Sequence, residues 1–162
     1  MRGFVFGNDR STRENSVRAL RSQSSGVGEV TVCGNFRQLR DALLTRSSES
    51  EPDIVVLTHQ KIENSLGIFR QFETIAKFTS QRGLRSLLKG VVFLIHSHSE
   101  GDMRKIGEFQ SRAGRPWMNI FPLTYNEITD AEALGKLIER RLEYRDTDDY
   151  SPKDRGDLGR RR

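Results

Sequence analysis

The sequence predicts an α/β fold in which helices cover both faces of a mostly parallel, five-stranded sheet. Two stretches, residues 53–57 with an acidic first residue and residues 91–95, are short runs of apolar, largely β-branched side chains, which are typical of strands buried on both faces. Three further runs, at residues 3–7, 29–33 and 117–122, alternate along the chain with segments of helical spacing. Alternating strands and helices favour a three-layer α/β sandwich.

Capping signals and apolar spacing predict where the helices lie. A capping box, in which a hydroxyl side chain precedes an acidic one by three residues, occurs at Ser11 and Glu14 and predicts a first helix over residues 12–23. Asn35 is expected to cap a second helix over residues 36–45.

The second half of the chain predicts three more helical segments. Apolar residues at helical spacing indicate a long helix from residue 66 to 79, after a loop over residues 60–65, and another over residues 101–112. A further capping box, at Thr129 and Glu132, predicts the start of the last helix.

The order of the elements predicts how the strands assemble. Right-handed crossovers between parallel strands leave few topologies for five units of this length, and we expect the flavodoxin-like order 2-1-3-4-5. This order brings together the carboxyl ends of the first, third and fourth strands, where ligands or partners meet such sheets. Polar residues follow these three strands, at positions 8–9, 58–59 and 96–98. We expect them to line one cleft.

Composition restricts the class of protein. The 162 residues suffice for one domain with a proper core, which we place at residues 1–145, and residues 146–162 form a charged tail expected to be disordered. No apolar run is long enough to cross a membrane, and no signal-peptide pattern is present. Cys33 is the single cysteine, which excludes an internal disulfide and a cysteine-built zinc site. We therefore expect a reducing, cytoplasmic compartment, with Cys33 in the core.

The strands carry a likeness to a known family. Residues 3–9 resemble the first strand of a response-regulator receiver domain with its closing acidic pair, here Asn8 and Asp9. Residues 52–58 resemble the third receiver strand, which in that family ends on the phosphorylated aspartate, and Thr58 holds that position. The resemblance rests mainly on the order of elements and covers nearly all of the folded part.

The remaining receiver positions also depart from the family pattern. His96 stands where the fourth receiver strand has a small hydroxyl residue, and Phe121 stands where the fifth strand has a lysine before proline. Phosphotransfer to a receiver needs a carboxylate nucleophile, acidic oxygens for magnesium and a cation beside the phosphoryl group. The resemblance therefore implies a pseudo-receiver: a signalling adaptor without a cofactor and without enzymatic activity, which acts by protein–protein interaction.

The same resemblance implies an interaction face. Receivers commonly dock a protein partner or a second copy on the face formed by the fourth helix, the fifth strand and the last helix. Trp117, Tyr125, Arg115 and Arg141 are the candidate residues for this face, because aromatic side chains and arginines are favoured at interface centres. Trp117 can instead be a core residue at the edge of the sheet.

A metal-binding, hydrolase-like enzyme is the first alternative. Asp9, His59, His96 and His98 can supply carboxylate oxygen and imidazole nitrogen to zinc or another divalent ion. In the simpler interpretation His96 is a satisfied histidine at a strand end and His98 lies in a solvated loop. Asp9 and Asn8 then hold the turn after the first strand by bonding to nearby backbone amides.

A nucleic-acid-binding regulator is the second alternative. It is suggested by the net charge of +5, the pI near 9.7 and the arginines at residues 160–162. However, Arg10, Glu14 and Arg18 recur at intervals of four, which indicates charge pairing along a solvated helix face. Basic residues are not interleaved with aromatic ones, and no phosphate-loop, dinucleotide-binding or nucleophile-elbow motif occurs.

Overall fold

The computed structural model describes residues 1–45, 52–79, 90–113 and 119–143. The strands are β1 (Arg2–Phe6), β2 (Glu29–Cys33), β3 (Asp53–Leu57), β4 (Val91–His96) and β5 (Asn119–Leu123). The helices are α1 (Arg10–Arg21), α2 (Phe36–Leu44), α3 (Ile62–Thr79), α4 (Glu100–Ala113), α5 (Tyr125–Thr129) and α6 (Ala131–Glu143), with a short 3-10 turn at Gln23–Ser25. Trp117, Arg115 and the predicted tail at residues 146–162 lie outside the described residues.

All five strands pair in parallel in the order β2-β1-β3-β4-β5, which confirms the predicted flavodoxin-like topology. The register aligns Phe6 with Leu57 and Leu57 with Ile95. The first, third and fourth strands therefore end at the same level, and the residues that follow them meet at one border of the sheet. We call this border the carboxyl edge.

Alternation along the strands divides the core into two layers. Side chains such as Val5, Val56 and Leu94 pack on one face of the sheet against apolar residues of α1, α5 and α6. Side chains of the opposite parity, such as Val55 and Phe93, pack on the other face against α2, α3 and α4. Every residue of β3 and β4 is buried, as expected for strands covered on both faces.

Two helices begin earlier than the sequence predicts. The residue that caps α1 is Asp9, not Ser11, because the Asp9 carboxylate accepts a hydrogen bond from the Thr12 amide at 3.4 Å. The acceptor just after β1 therefore starts the helix at Arg10. Similarly, α3 begins at Ile62, inside the stretch that was predicted as a loop.

The segment after β5 contains a helix that the sequence interpretation missed. Thr124 and Glu127 form a capping box, with the Thr124 amide donating to Glu127 Oε1 at 2.9 Å, and α5 follows it. The box predicted at Thr129 and Glu132 is wrong. Asp130 Oδ1 instead accepts from the Glu132 amide at 3.0 Å, and α6 begins at the next residue, Ala131.

A buried ion pair fixes the opposite border of the sheet. The Asp53 side chain is only 2% exposed and accepts two hydrogen bonds from the Arg2 guanidinium, at 3.0 and 2.8 Å. A buried carboxylate needs such a partner, because removal of one charge leaves the other desolvated and unpaired. Asp53 therefore belongs to the amino-end border and takes no part in the carboxyl edge.

The described helices and the lone cysteine agree with two sequence expectations. Of the helices within the described ranges, none is both long and apolar enough to cross a membrane. Cys33 is a buried member of the core, and burial raises the pKa of its thiol.

A glycine at the end of β1 allows the tightest approach between two strand ends. A Cβ atom at Gly7 would collide with the backbone carbonyl and the hydroxyl of Thr58. Two hydrogen bonds hold the segments there, from the Thr58 amide to the Phe6 carbonyl and from the Asp9 amide to the Thr58 carbonyl, each 2.9 Å long. Only glycine fits at residue 7 without displacing the residue that follows β3.

Replacing this glycine is expected to destabilise the fold. Gly7→Ala should lower the free energy of unfolding by about 2–3 kcal/mol, because the added methyl group must displace backbone atoms. Gly107→Ala is the matched control, since a Cβ there meets nothing within 4 Å. It should raise the unfolding free energy by about 0.5–1 kcal/mol through helix propensity. Urea unfolding of both variants measures the two changes, and equal values would contradict the close approach.

Candidate functional site

Four polar side chains meet at the carboxyl edge, and we call them the edge cluster. They are Asp9, Thr58, His96 and His98. The sequence predicts that these residues line one cleft.

Asn8 and Asp9 stabilise the turn after β1. Asn8 Oδ1 accepts a hydrogen bond from the Gln60 amide at 2.9 Å, which ties this turn to the segment after β3. Asp9 caps α1 through the Thr12 amide. Both side chains bond to nearby backbone amides, as the simpler interpretation of this pair predicts.

Thr58 occupies the centre of the edge and is fully buried. Among the described residues, its hydroxyl oxygen has no hydrogen-bond partner, although the main chain on either side of it is bonded to β1 and to the α1 cap. The hydroxyl packs where a side chain on Gly7 would stand. A buried hydroxyl without a hydrogen bond costs free energy. The Thr58 side chain is therefore held in place by the backbone bonds around it and not by polar contacts of its own.

His59 lies on the other face of the sheet. Its Nδ1 atom is 2.9 Å from the Ser65 hydroxyl of α3, and its ring meets the Phe6 ring edge-on at 5.2 Å between centroids. By alternation along the strands, the His59 side chain lies on the same face of the sheet as Leu57, and the His96 side chain lies on the opposite face, with Leu94. Burial lowers the pKa of His59. Its imidazole is therefore separated from the edge cluster, although it follows the same strand as Thr58.

His96 and His98 contact each other directly. His96 Nδ1 lies 3.1 Å from His98 Nε2, and the two rings meet edge-on with centroids 4.1 Å apart. His98 Nε2 also faces the His59 carbonyl oxygen at 3.4 Å and Asp9 Oδ2 at 4.0 Å. Because these two neighbours are acceptors, we assign the proton to His98 Nε2 and the acceptor role to His96 Nδ1.

This assignment leaves the second nitrogen of His96 as a buried donor. Nε2 of a neutral His96 then carries the proton, and it has no partner within the described part of the chain. Burial, followed by the charge of His98, lowers the pKa of His96 from 6.5 to about 4, while Asp9 and Asp102 act in the opposite direction. His96 is therefore neutral at neutral pH.

The start of α4 positions His98. Asp102 Oδ2 accepts from the His98 amide at 2.9 Å, and the Asp102 amide donates to the Ser99 hydroxyl at 3.2 Å. The sequence interpretation missed Asp102, although a serine followed three residues later by an acid is a helix-start signal that identifies it. Ser65, the partner of His59, was missed too, and no local pattern marks it.

The predicted interaction residues lie at different depths. Tyr125, at the start of α5, is 66% exposed. Arg141 is only 7% exposed, and its guanidinium stacks over the Phe121 ring at 4.3 Å from the centroid. Arg141 therefore packs against β5 and does not present its charge to a partner, so its assignment to an exposed face is corrected. Phe121 itself is half-buried against the α6 side of the core.

The metal-binding alternative gains no geometric support. Within residues 1–45, 52–79, 90–113 and 119–143, no three His, Cys, Asp or Glu side chains are placed to hold a metal ion together. His59 points to Ser65, and His96 turns one nitrogen towards His98. Alternation along the strands places the His59 side chain on the opposite face of the sheet from His96, although both lie at the same border.

Fold and site define a flavodoxin-like α/β protein whose carboxyl edge is closed by a buried threonine and a histidine pair. Comparison with protein-family models, with curated proteins and with solved structures gave no match to the chain. The function is therefore inferred from the residues of the edge and of the surface.

The buried His96 predicts a loss of stability in acid. Its folded pKa of about 4 lies below the ordinary value of 6.5 that applies to the unfolded chain, so protons bind preferentially to the unfolded chain. The contribution of neutral His96 to the free energy of unfolding is fully present above pH 6.5 and is lost as the pH falls from 6.5 towards 4. Between these limits we expect a loss on the order of 2 kcal/mol.

Urea unfolding across this pH range measures the effect. The His96→Gln variant should show a shallower dependence than the wild-type chain, because glutamine does not titrate. His59 titrates in the same direction and stays in both proteins, so the difference reports His96 alone. Identical pH dependences would contradict a buried, neutral His96.

Proposed function

We propose that this chain is a receiver-like signalling adaptor that acts through protein–protein contacts and does not undergo aspartyl phosphorylation. One observation carries the proposal. The residue that follows the central strand β3, where a receiver has its phosphorylated aspartate, is Thr58, and its side chain is completely buried against Gly7. A hydroxyl cannot form an acyl phosphate, and a buried hydroxyl is out of reach of a phosphodonor.

The neighbouring polar groups support the same proposal. A magnesium ion requires several oxygen ligands, with water or phosphate completing the set. Asp9 is the carboxylate of the edge cluster, and it is already bonded to the Thr12 amide and faces His98. Asn8, which replaces one acid of the receiver's acidic pair, accepts a hydrogen bond through its side-chain oxygen from the Gln60 amide. These oxygens maintain the turn and are not gathered for a cation.

The fifth strand offers no cation for a phosphoryl group. Phe121 stands where a receiver has its lysine, and the guanidinium of Arg141 lies over the Phe121 ring. A cation–π contact of this kind contributes about 0.5–2 kcal/mol, depending on how far it is desolvated. The contact helps to hold α6 against β5, which suits an adaptor that acts through a preformed surface.

The proposed partner face presents side chains and not a free strand edge. Pro122 has no N–H group, and the Ile120 carbonyl oxygen accepts a hydrogen bond from the Gln110 side chain of α4. β5 therefore cannot easily pair with another strand. Tyr125 is the large exposed side chain beside it, and an amphipathic ring of this kind suits an interface centre.

A reducing, cytoplasmic location is part of the proposal. Cys33 is a free thiol with 3% of its surface exposed, and its raised pKa keeps it protonated. A buried, protonated thiol is a poor nucleophile and acts as a small packing residue.

Incubation with acetyl phosphate and magnesium is expected to leave the chain unmodified. The reason is that Thr58 replaces the nucleophile and that, among the described residues, no three His, Cys, Asp or Glu side chains are placed to hold a metal ion beside it. Intact-mass spectrometry measures modification, and thermal unfolding measures any shift of the melting temperature. A receiver domain that retains its aspartate, treated in parallel, serves as the positive control.

The Asp9→Asn variant is the matched control for the one remaining acid, and it should behave like the wild-type chain. Stoichiometric, magnesium-dependent phosphorylation of the wild-type chain would contradict the proposal. Release of the phosphate by hydroxylamine would identify an acyl phosphate, and its loss in Asp9→Asn would locate it.

Tyr125→Ala is expected to weaken partner binding without destabilising the fold, because the ring is exposed. Truncation of an aromatic residue at an interface centre costs about 1–2 kcal/mol or more, which is roughly a tenfold loss of affinity. Affinity purification from the native cell with quantitative mass spectrometry measures the loss. Arg37→Ala on α2, also well exposed, is the control. Equal recovery with both variants would place the interface elsewhere.

A further inference from the structure

The two edge strands of the sheet differ in what they leave open. At β5, the Ser97 amide donates to the Leu123 carbonyl oxygen at 2.9 Å, so the peptide groups of Leu123 face β4. By alternation, the peptide groups of Ile120 and Pro122 face outward. At these outward positions the Ile120 carbonyl oxygen accepts from the Gln110 side chain, and Pro122 has no N–H to donate. β2, by contrast, pairs only with β1 among the described strands. Within the described ranges, no strand pairs with its outer border.

The pairing of β1 identifies the open groups of β2. The Phe6 carbonyl accepts from the Thr58 amide, so the peptide groups of Phe6 face β3 and those of Val5 face β2. In a parallel ladder Val5 bonds to the residues on either side of its partner, Val32. Val32, and Val30 by the same alternation, therefore direct their N–H and C=O groups away from β1. These two residues form a receptive strand edge.

A groove lies beside this edge, between α1 and β2. It has a volume of about 590 Å³, which is within the usual range of binding clefts. We call it the edge groove, and its principal lining residues are Arg13, Arg18, Arg21, Glu14, Val17 and Val32. The side chain of Val32 is 44% exposed, so the floor of the groove is partly apolar.

The charge of the edge groove is mainly positive. Its single carboxylate, Glu14, is paired with Arg10 at 3.0 Å. Arg13 donates to the Gly7 carbonyl oxygen at 3.3 Å. Within the described part of the chain, no ion pair or hydrogen bond engages the side chains of Arg18 and Arg21. Two guanidinium groups are therefore available beside an open strand edge.

We propose that the β2 edge and the edge groove bind an extended, acidic segment of a partner protein by strand addition. The main chain of the segment pairs with the outward groups of Val30 and Val32. Its side chains on the α1 face place carboxylates against Arg18 and Arg21 and small apolar groups on Val32. This surface is separate from the β5 face, and the inference does not depend on the proposed adaptor function.

The charge pattern selects this occupant over two others. A second copy joined through β2 would bring two sets of like-charged guanidinium groups together, which is unfavourable. A nucleic acid would use the arginines but would leave the outward peptide groups and the apolar floor without a role. An acidic peptide in extended conformation uses all three features.

Fluorescence anisotropy with a defined probe tests the proposal on the full chain. The probe is a fluorescein-labelled peptide of sequence Glu-Thr-Val-Thr-Glu-Thr-Val-Thr, in which glutamate and valine share one face. The matched probe carries lysine in place of glutamate. We expect the acidic peptide to bind at least about tenfold more tightly than the basic one, and added salt to weaken it because the guanidinium groups are exposed.

Two variants separate the charge from the strand edge. Arg18→Glu should lower the affinity for the acidic peptide by about tenfold. Arg104→Glu, the same charge change on the distant helix α4, should change this affinity by less than about twofold. Val32→Pro removes an outward N–H without removing a bond to β1, and it should also weaken binding by about tenfold. Circular dichroism verifies that each variant is folded.

Three outcomes would overturn the inference. The first is equal binding of the acidic and basic peptides, or no binding of either. The second is unchanged affinity in the Arg18→Glu variant, which remains decisive if Val32→Pro fails to fold. The third is that a single-stranded oligothymidylate binds more tightly than the acidic peptide, and that Arg18→Glu weakens this binding whereas a folded Val32→Pro does not. That result would assign the groove to nucleic acid.

Discussion

The close approach of Gly7 to Thr58 determines the geometry of the carboxyl edge. Two backbone hydrogen bonds hold the ends of β1 and β3 at this point, and the absence of a side chain at residue 7 makes room for them. The same contact places Asp9 at the start of α1, where its carboxylate caps the helix. It also buries the Thr58 hydroxyl. A single glycine thus sets both the beginning of α1 and the chemistry that is possible at the centre of the sheet.

Much of the fold was predictable because β3 and β4 each contain a run of apolar residues, 54–57 and 91–95. The buried strands β3 and β4 indicate the α/β fold class, and the alternation of strands with helices indicates the order of the strands in the sheet. The helix starts were harder to predict, because several side chains near a strand end can cap a helix. Ser11 matched a capping box, but Asp9 lies nearer the end of β1 and caps α1. Likewise, the box at Thr124 and Glu127 was overlooked in favour of a similar one five residues later.

The candidate site was predictable in position but not in orientation. All three histidines lie at the carboxyl ends of β3 or β4, as the sequence indicates, yet His59 and His96 project to opposite faces of the sheet. Their relative direction depends on the register between strands, which apolar patterning alone does not fix for polar residues beyond the strand ends. The burial of Arg141 on Phe121 was equally hidden, since a stacking contact between α6 and β5 leaves no local trace in the sequence.

The unequal borders of the sheet limit how large an assembly can grow. Pro122 and the Gln110 side chain hinder backbone pairing at the β5 border, so among the described strands β2 has the more accessible outer edge. If a partner segment occupies the β2 edge, a further strand has to pair at the hindered β5 border. The hindered border therefore opposes the continued edge-to-edge stacking that threatens proteins with two free sheet borders.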